Sequence, residues 1–459
     1  MESLRAQVPA PLKGVRGYAD IVRGFSRNAK LYMVFTVVNS VSFSIFNLVF
    51  NLYIYSLGYR QDFIGVLNAL PSIAILALGL PVGMAADRYG YKPFLVAGAI
   101  ITAISTLGMG LFAGAWPLMF FSLLGGVAGA MSWVIGAPMM MQNSAPEERV
   151  YLFSVNFALM MGSGLIGSLV AGTLPEVFGG WLGVGSNTTL PLRFAFLSMT
   201  FFNIIAIIPI AMLESPRRAA GEGRGESSVM EASGGQRAEE ERHGLAGLLQ
   251  SLPQTPEDRR LFLKLIMPSA IIGFGAGAMV VFFQLFFNLK FKLSPGSIGI
   301  IFALSSVVTG LASLAAPVLA KRWGKVRTVV WTELASIPFL LILAYSDSLW
   351  LVIGAFYVRS ALMNMGGPVG STFSMEMAKE NQRATLTSLG AMLGSLGRGG
   401  LGPLASGFLQ TQSGFGLAFT LTTATYVLAA GLFYYFFRDA ERPNSDRGGR
   451  TAGSAAETN

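Results

Sequence analysis

Twelve long apolar segments account for most of this 459-residue chain. A helix needs about 20 predominantly apolar residues to cross a bilayer, and each segment is near or above that length. The segments run over residues 31–57, 63–84, 93–113, 116–142, 150–175, 193–213, 261–289, 296–319, 327–345, 348–375, 384–410 and 415–437. Because charged residues make up only 12% of the chain, it has too little polar surface for a soluble fold. We therefore predict an all-α membrane protein with twelve transmembrane helices, numbered here as spans 1 to 12.

Lysine and arginine residues are concentrated in alternate connections between these spans. Six of them precede residue 31, and others follow span 2, span 8 and span 12. Because cytoplasmic loops carry an excess of lysine and arginine, we predict that both termini are cytoplasmic, in a bacterial-type cytoplasmic membrane. The net charge of +9 then reflects topology and contact with anionic lipid headgroups, so we expect a lipid-bilayer environment and no nucleic-acid partner.

A polar stretch divides the chain into two groups of six spans. Residues 214–260 are rich in Gly, Ser and charged side chains, so they cannot bury a core and should form a disordered cytoplasmic linker. The predicted organisation has five parts. These are a cytoplasmic N-terminal segment over 1–30, a six-helix bundle over 31–213, the linker over 214–260, a second six-helix bundle over 261–437 and a cytoplasmic tail over 438–459.

The two groups of spans repeat each other at a constant offset of 234 residues. The matching pairs lie at three separate junctions, and they include Ile64 with Ile298, Gly65 with Gly299, Arg88 with Arg322, Gly90 with Gly324, Arg149 with Arg383 and Ser154 with Ser388. Apolar segments match by chance fairly often, but a constant offset at three junctions is much harder to obtain. Two parallel repeats related by an axis along the membrane normal are one known transporter architecture. We therefore predict two pseudo-symmetric six-helix bundles.

The connection between spans 2 and 3 reads "GMAADRYGYK" and carries a recognisable motif. Its members are Gly83, Asp87, Arg88, Gly90 and Lys92. The pattern resembles the G-x-x-x-D-[RK]-x-G-x-[RK] signature of the major facilitator superfamily, with Tyr91 where that family often has a basic residue. The resemblance implies the fold of that superfamily. It also implies that the carboxylate faces the N-terminus of span 11 and helps to close the cytoplasmic side, where the helix dipole would favour an anion.

The second half carries a changed copy of the motif, "PVLAKRWGKV". Lys321 stands at the aspartate position, followed by Arg322 and Gly324. A cation there would meet a helix N-terminus unfavourably unless acidic residues intervene. Span 5 opens with Glu147 and Glu148, and we hypothesise that they pair with Lys321.

Two pairs of carboxamides interrupt the apolar sequence of spans 1 and 7. "FNLVFNL" carries Asn47 and Asn51, and "FQLFFNL" carries Gln284 and Asn288. In span 1 these amides continue a polar helical face that includes Ser40 and Ser44. The resemblance implies that spans 1, 4, 7 and 10 line a central cavity, which makes these side chains candidates for contact with the solute. The alternative is that they hydrogen-bond neighbouring helices.

Two arginines lie deep within predicted spans. Arg359 is nine residues past Trp350, about 13 Å along span 10, and Arg398 is fifteen residues past Arg383, about 22 Å along span 11. Burying an arginine in a bilayer costs at least about 2.5–3.5 kcal/mol, so each should face a wet cavity or a partner. We therefore add both to the candidate substrate cavity.

Acidic residues are absent from the middle of every predicted span. Glu333 lies about 9 Å past Arg327, and Glu376 is near the predicted cytoplasmic end of span 10. These two are the candidates for coupling transport to protons. The alternative is that they form ion pairs with Lys321, Arg322 or Lys379 at that end.

Several kinds of chemistry are not indicated by the sequence. The chain has no cysteine, and its single histidine, His243, lies in the charged linker. No nucleotide-binding loop and no metal-ligand spacing is present, so we expect no enzyme activity, no catalytic residue, no metal and no cofactor.

These observations favour a secondary transporter that moves a small polar or anionic solute by alternating access, as a monomer. An alternative substrate class is amphipathic drugs or lipids, moved by efflux. An alternative from another class is a membrane sensor on the same fold that transports nothing.

Overall fold

The computed structural model describes residues 24–144, 148–214, 255–379 and 382–440 of the chain. Most of the predicted N-terminal segment, linker and tail therefore lies outside the described residues, as does Glu147. Every regular element in the described ranges is a helix, which confirms the predicted all-α fold class.

The first six spans are continuous helices at the predicted positions. They run over Arg27–Ser56, Gln61–Tyr89, Tyr91–Leu111, Ala115–Gln142, Arg149–Leu182 and Thr189–Ala211. Span 1 begins at Ser26, whose side chain accepts a hydrogen bond from the backbone N–H of Ala29 and so caps the helix. Span 5 ends at Gly183, which adopts the left-handed conformation common after helices.

Spans 7 and 11 differ from the prediction because each is interrupted. Span 7 consists of Pro256–Val280 and Phe283–Phe291, and span 11 consists of Arg383–Ser395, a π-helix over Leu396–Leu401, and Gly402–Ser413. The remaining spans are continuous, over Pro295–Trp323, Lys325–Tyr345, Leu349–Met377 and Phe415–Phe437. Within the described ranges, eleven helical segments are long and apolar enough to cross a membrane, and the shorter pieces of span 11 complete the set of twelve.

The chain divides into two compact units that do not follow the sequence halves. One unit holds spans 1 to 6 together with Val281–Ser306, and the other holds the first part of span 7 and everything from Val307 onward. The chain therefore passes from one unit to the other at the interruption of span 7. It passes between them again within the continuous helix of span 8.

In the first unit, close helix packing depends on small residues. A Cβ added at Gly126 in span 4 would lie 2.5 Å from the Cα of Pro71 in span 2. Likewise, a Cβ at Gly172 in span 5 would lie 2.7 Å from the carbonyl oxygen of Pro295 at the start of span 8. Such small residues let helix backbones approach in a bilayer, where no hydrophobic force drives helices together.

Aromatic side chains fill the space between spans 1 and 6 of the first unit. Phe50, Tyr53 and Phe196 are fully buried, with the ring of Phe196 centred 5.8 Å from that of Phe50 and 5.5 Å from that of Tyr53. Rings at these distances interact favourably beyond their burial.

In the second unit, span 7 packs tightly on the middle of span 11. A Cβ at Gly273 would lie 2.8 Å from the carbonyl oxygen of Gly394, and Gly277 approaches the π-helix in the same way. Span 9 packs against spans 10 and 12, where the rings of Phe373, Phe433 and Phe437 meet. At Gly273 and Gly277, where spans 7 and 11 approach most closely, the backbones leave no room for a side chain.

The turns after spans 2 and 8 have the same backbone conformation. Gly90 has a φ of 93° and Gly324 a φ of 86°, and each separates two helices with a single residue. A residue with a side chain is strained at such angles, so both positions favour glycine. The two glycines are the members of one repeat pair, so the repeat seen in the sequence extends to backbone conformation.

Candidate substrate site and the interruption of span 7

The interruption of span 7 exposes a backbone carbonyl that a continuous helix would satisfy. The helix stops at Val280, and a turn over residues 281–282 precedes the next helix. In the hydrocarbon region an unsatisfied backbone group costs several kcal/mol, so the carbonyl oxygen of Val281 needs a donor.

Two carboxamides supply that donor. The Nδ2 of Asn51 lies 2.6 Å from the Val281 carbonyl oxygen, and the Nε2 of Gln284 lies 2.7 Å from it. The Nδ2 of Asn68 donates in turn to the Oδ1 of Asn51 at 2.9 Å and to the Ile64 carbonyl at 2.8 Å. We call Asn51, Asn68 and Gln284 the carboxamide cluster. Asn51 and Gln284 are almost fully buried, so the cluster satisfies the Val281 carbonyl where water has little access.

Asn68 was not predicted as part of the site. It lies in span 2, and its counterpart at the repeat offset is Phe302, so the repeat gave no signal for it. A single amide within an apolar span was the available signal.

The other two predicted amides lie apart from the cluster. Asn47 is exposed and donates to the carbonyl of Phe43 in its own helix, at 2.8 Å. Asn288 donates to the Oδ1 of Asn187 at 3.0 Å and to the Leu293 carbonyl at 2.8 Å. Asn288 also borders a cavity of about 320 Å³ in the first unit, together with Tyr55 of span 1.

The predicted serines of span 1 lie beside span 5. Ser40 is buried, and the hydroxyl of Ser44 donates to the Ser40 carbonyl at 2.9 Å. The same hydroxyl lies 3.4 Å from the carbonyl oxygen of Gly164 in span 5. The contact with Gly164 is a hydrogen bond between two helices, whereas the contact with Ser40 lies within span 1. A contact of either serine with a solute stays a prediction.

Arg359 contacts a partner within its own unit. Its side chain is 4% exposed, and its Nη2 donates to the hydroxyl of Tyr426 in span 12 at 2.6 Å. The guanidinium also lies over the ring of Tyr426, 5.8 Å from its centre. Because cation–π contact strengthens when water is excluded, this pair stabilises the buried charge.

Arg398 has a very different environment. It is an exposed residue within the π-helix, fifteen residues from each end of span 11. Among the residues that the structure describes, none forms a hydrogen bond or an ion pair with its guanidinium. Single-turn π-helices occur often at functional sites, and a charged side chain deep in a span is costly unless it meets water or a ligand.

The predicted gate motif forms the tight turn between spans 2 and 3. The hydroxyl of Tyr91 donates to the Oδ1 of Asp87 at 2.9 Å, so the unusual tyrosine satisfies the carboxylate that the motif provides. Arg88 lies over the ring of Tyr89, while Lys92 is half-buried. Gly83 faces Val134 of span 4.

In the second copy, Lys321 and Arg322 are exposed and precede the turn at Gly324. The contact of Asp87 with span 11 and the pairing of Lys321 with Glu148 stay predictions.

The two coupling candidates are placed differently. Glu376 is exposed and pairs with Lys325 at the start of span 9, a partner that the sequence did not single out. Glu333 is buried, and its Oε2 has no hydrogen-bond partner among the described residues. A role of either residue in coupling stays a prediction. Across the described ranges, no three His, Cys, Asp or Glu side chains group closely enough to hold a metal.

Long apolar helices in two sets of six, with interruptions in spans 7 and 11, are the architecture of one class of secondary transporter. The model of the Major Facilitator Superfamily matches residues 32–289 and 265–457. The chain belongs to this family.

Two multidrug resistance proteins match part of the chain. Multidrug resistance protein MdtH of Shigella flexneri is 27% identical over 132 residues, which are 29% of this chain and 33% of that protein. MdtH of Salmonella choleraesuis is 27% identical over 134 residues, with the same two shares. The chain thus matches about a third of the length of these relatives.

Solved structures resemble the whole fold at low sequence identity. An inward-facing, unoccupied bacterial homolog of the human lysosomal transporter Spinster has a TM-score of 0.72 and 16% identity, covering 90% of this chain and 96% of that one. The nucleoside transporter NupG has a TM-score of 0.66 and 15% identity, covering 91% and 100%. The D-xylose–proton symporter has a TM-score of 0.64 and 15% identity, covering 88% of this chain and 97% of that one. At these identities the likeness establishes the fold alone.

Proposed function

We propose that this transporter moves a small organic anion across the membrane without changing it chemically, and that Arg398 binds the anionic group. The observation that carries the proposal is the guanidinium of Arg398, exposed at the midpoint of span 11 with no partner among the described residues. A charge at that depth is too costly to face lipid, so it faces water or a ligand. A guanidinium binds carboxylate and phosphate groups through two parallel hydrogen bonds.

The interruption of span 7 supports alternating access. The two parts of this span belong to different compact units, and the Val281–Phe282 turn joins them. We propose that the span bends at this turn during transport, while the carboxamide cluster keeps the carbonyl of Val281 satisfied. The loop over residues 83–92 then helps to close the cytoplasmic side.

Replacing Arg398 with glutamine tests the proposed anion site. We expect flux of the transported anion into proteoliposomes to fall about tenfold to a hundredfold, the range for loss of one hydrogen bond to a charged group. Arg398→Lys keeps the charge and should retain part of the flux. Arg60→Gln removes an equal charge from the residue that precedes the first turn of span 2 and should leave flux unchanged. Undiminished anion flux in Arg398→Gln would refute the site.

Efflux of amphipathic drugs is the second candidate function, and the partial match to MdtH favours it. The two functions differ in their dependence on charge. If Arg398→Gln left anion flux intact but removed drug resistance from cells that express the protein, efflux of drugs would be the better assignment.

We further propose a monomer in a bacterial-type cytoplasmic membrane, with both termini in the cytoplasm. The absence of cysteine from the sequence allows a direct test of the topology, because a thiol reagent can label only the one cysteine that is introduced. Cysteine at Tyr89 should react with a membrane-impermeant maleimide only after cells are permeabilised. Cysteine at Asn187, between spans 5 and 6, should react in intact cells. The reverse pattern would invert the proposed topology.

A further inference from the structure

A second cavity lies in the second unit, on the side where spans 8 and 9 are joined. Its volume is about 510 Å³, and its lining includes Arg322 and Trp323 from the end of span 8 and Arg327 and Trp331 from the start of span 9. Apolar side chains continue the lining deeper along the helices, among them Leu319, Ala335 and Leu362. The cavity is therefore cationic at one end and apolar at the other.

The two arginines of this cavity are available to bind an anion. Both are exposed, and within the described part of the chain neither makes a hydrogen bond or an ion pair. The acidic side chains of the surrounding helices do not neutralise them. Glu376 pairs with Lys325, and Glu333 is buried and does not line the cavity.

The distribution of side chains matches the depth profile of a lipid molecule. Arg327 is two residues into span 9, Trp331 is one turn deeper, and Ala335 is two turns deeper, about 12 Å from the arginine. Trp323 and Trp331 are 45% and 60% exposed. Tryptophan is enriched at the level of lipid headgroups, and basic pockets between membrane helices bind anionic headgroups.

We propose that this cavity is a binding site for one anionic phospholipid. The phosphate group lies between the guanidinium groups of Arg322 and Arg327, and an acyl chain follows the apolar wall past Trp331 toward Ala335 and Leu362. The site is separate from Arg398, so the proposal does not rest on the identity of the transported solute.

Lipid binding to the purified full-length protein tests this site. The protein in detergent micelles is titrated with phosphatidylglycerol and with phosphatidylcholine, and bound lipid is counted by native mass spectrometry. We expect the wild-type protein to bind one phosphatidylglycerol molecule about thirtyfold more tightly than phosphatidylcholine, as expected for two cations near an anionic group. The double variant Arg322→Gln with Arg327→Gln should lose this preference.

Two further variants separate the site from general charge attraction. Arg88→Gln with Lys321→Gln removes the same charge from residues that do not line the cavity, so the preference should remain. Ala335→Phe fills the apolar end and should weaken phosphatidylglycerol binding although both arginines are present. Thermal unfolding midpoints confirm that each variant is folded.

Three results would overturn the proposal. The first is an equal affinity of the wild-type protein for the two lipids. The second is an unchanged lipid preference in the Arg322→Gln and Arg327→Gln variant. The third is displacement of bound lipid by glycerol phosphate at low concentration, which would make the cavity a site for free phosphate compounds.

Discussion

Replacing both Asn51 and Gln284 with leucine is expected to prevent the protein from accumulating in folded form. The two amides are the donors to the Val281 carbonyl oxygen, at 2.6 and 2.7 Å. Leucine at both positions would leave that oxygen unsatisfied in a nearly dry environment, at a cost of several kcal/mol. Because the free energy of unfolding of a protein is only about 5–15 kcal/mol, such a loss removes much of it. The yield of monodisperse protein after membrane extraction measures the effect.

The single variants make this prediction specific. Asn51→Leu and Gln284→Leu each leave one donor on the carbonyl, so each should lower the unfolding midpoint only modestly. The double variant should therefore lose more than the sum of the two single losses, as expected for side chains that share a partner. Asn47→Leu is the matched control, since this exposed amide bonds only within its own helix, and it should fold normally. A double variant with merely additive losses would show that the carbonyl does not need these donors.

The position of the interruption in span 7 could not be predicted from the sequence. Residues 278–283 read "AMVVFF" and contain neither proline nor glycine, the usual causes of a helix break. Here the turn is stabilised by an amide from span 1, which is a tertiary contact without a local signal. The likeness of the two amide pairs was also misleading, because aligning "FNLVFNL" with "FQLFFNL" places Asn47 against Gln284. In the structure it is Asn51 that shares the Val281 carbonyl oxygen with Gln284.

Other features could be predicted because they depend on local sequence. Hydropathy and length predicted the spans, since a helix that crosses a bilayer must satisfy its own backbone. The repeat paired Gly90 with Gly324, and both have positive φ in the structure. The partner of Arg359 could not be predicted, because nothing in the sequence relates span 10 to Tyr426, the tyrosine of span 12 that Arg359 contacts. The π-helix that carries Arg398 was likewise not predicted, and it lies where span 11 packs on the glycines of span 7.

Replacing Gly277 with leucine is the second change expected to abolish folding. A Cβ at this position would lie 2.6 Å from the carbonyl oxygen of Gly397 and even closer to that of Arg398. Both obstacles are backbone atoms of the π-helix, so no side chain can rotate away, and spans 7 and 11 would have to separate. We expect no monodisperse protein from Gly277→Leu.

A smaller change at the same residue connects packing to transport. Gly277→Ala adds only the Cβ, so it should displace the backbone of the π-helix that carries Arg398 and lower both the unfolding midpoint and the anion flux. Gly431→Ala in span 12 is the matched control, because its added Cβ meets nothing within 4 Å. Alanine is favoured over glycine in a helix by about 1 kcal/mol, so this control should be neutral or slightly stabilising. If Gly277→Ala matched Gly431→Ala in stability and flux, the contact between spans 7 and 11 would be looser than described, and the position of Arg398 would not depend on it.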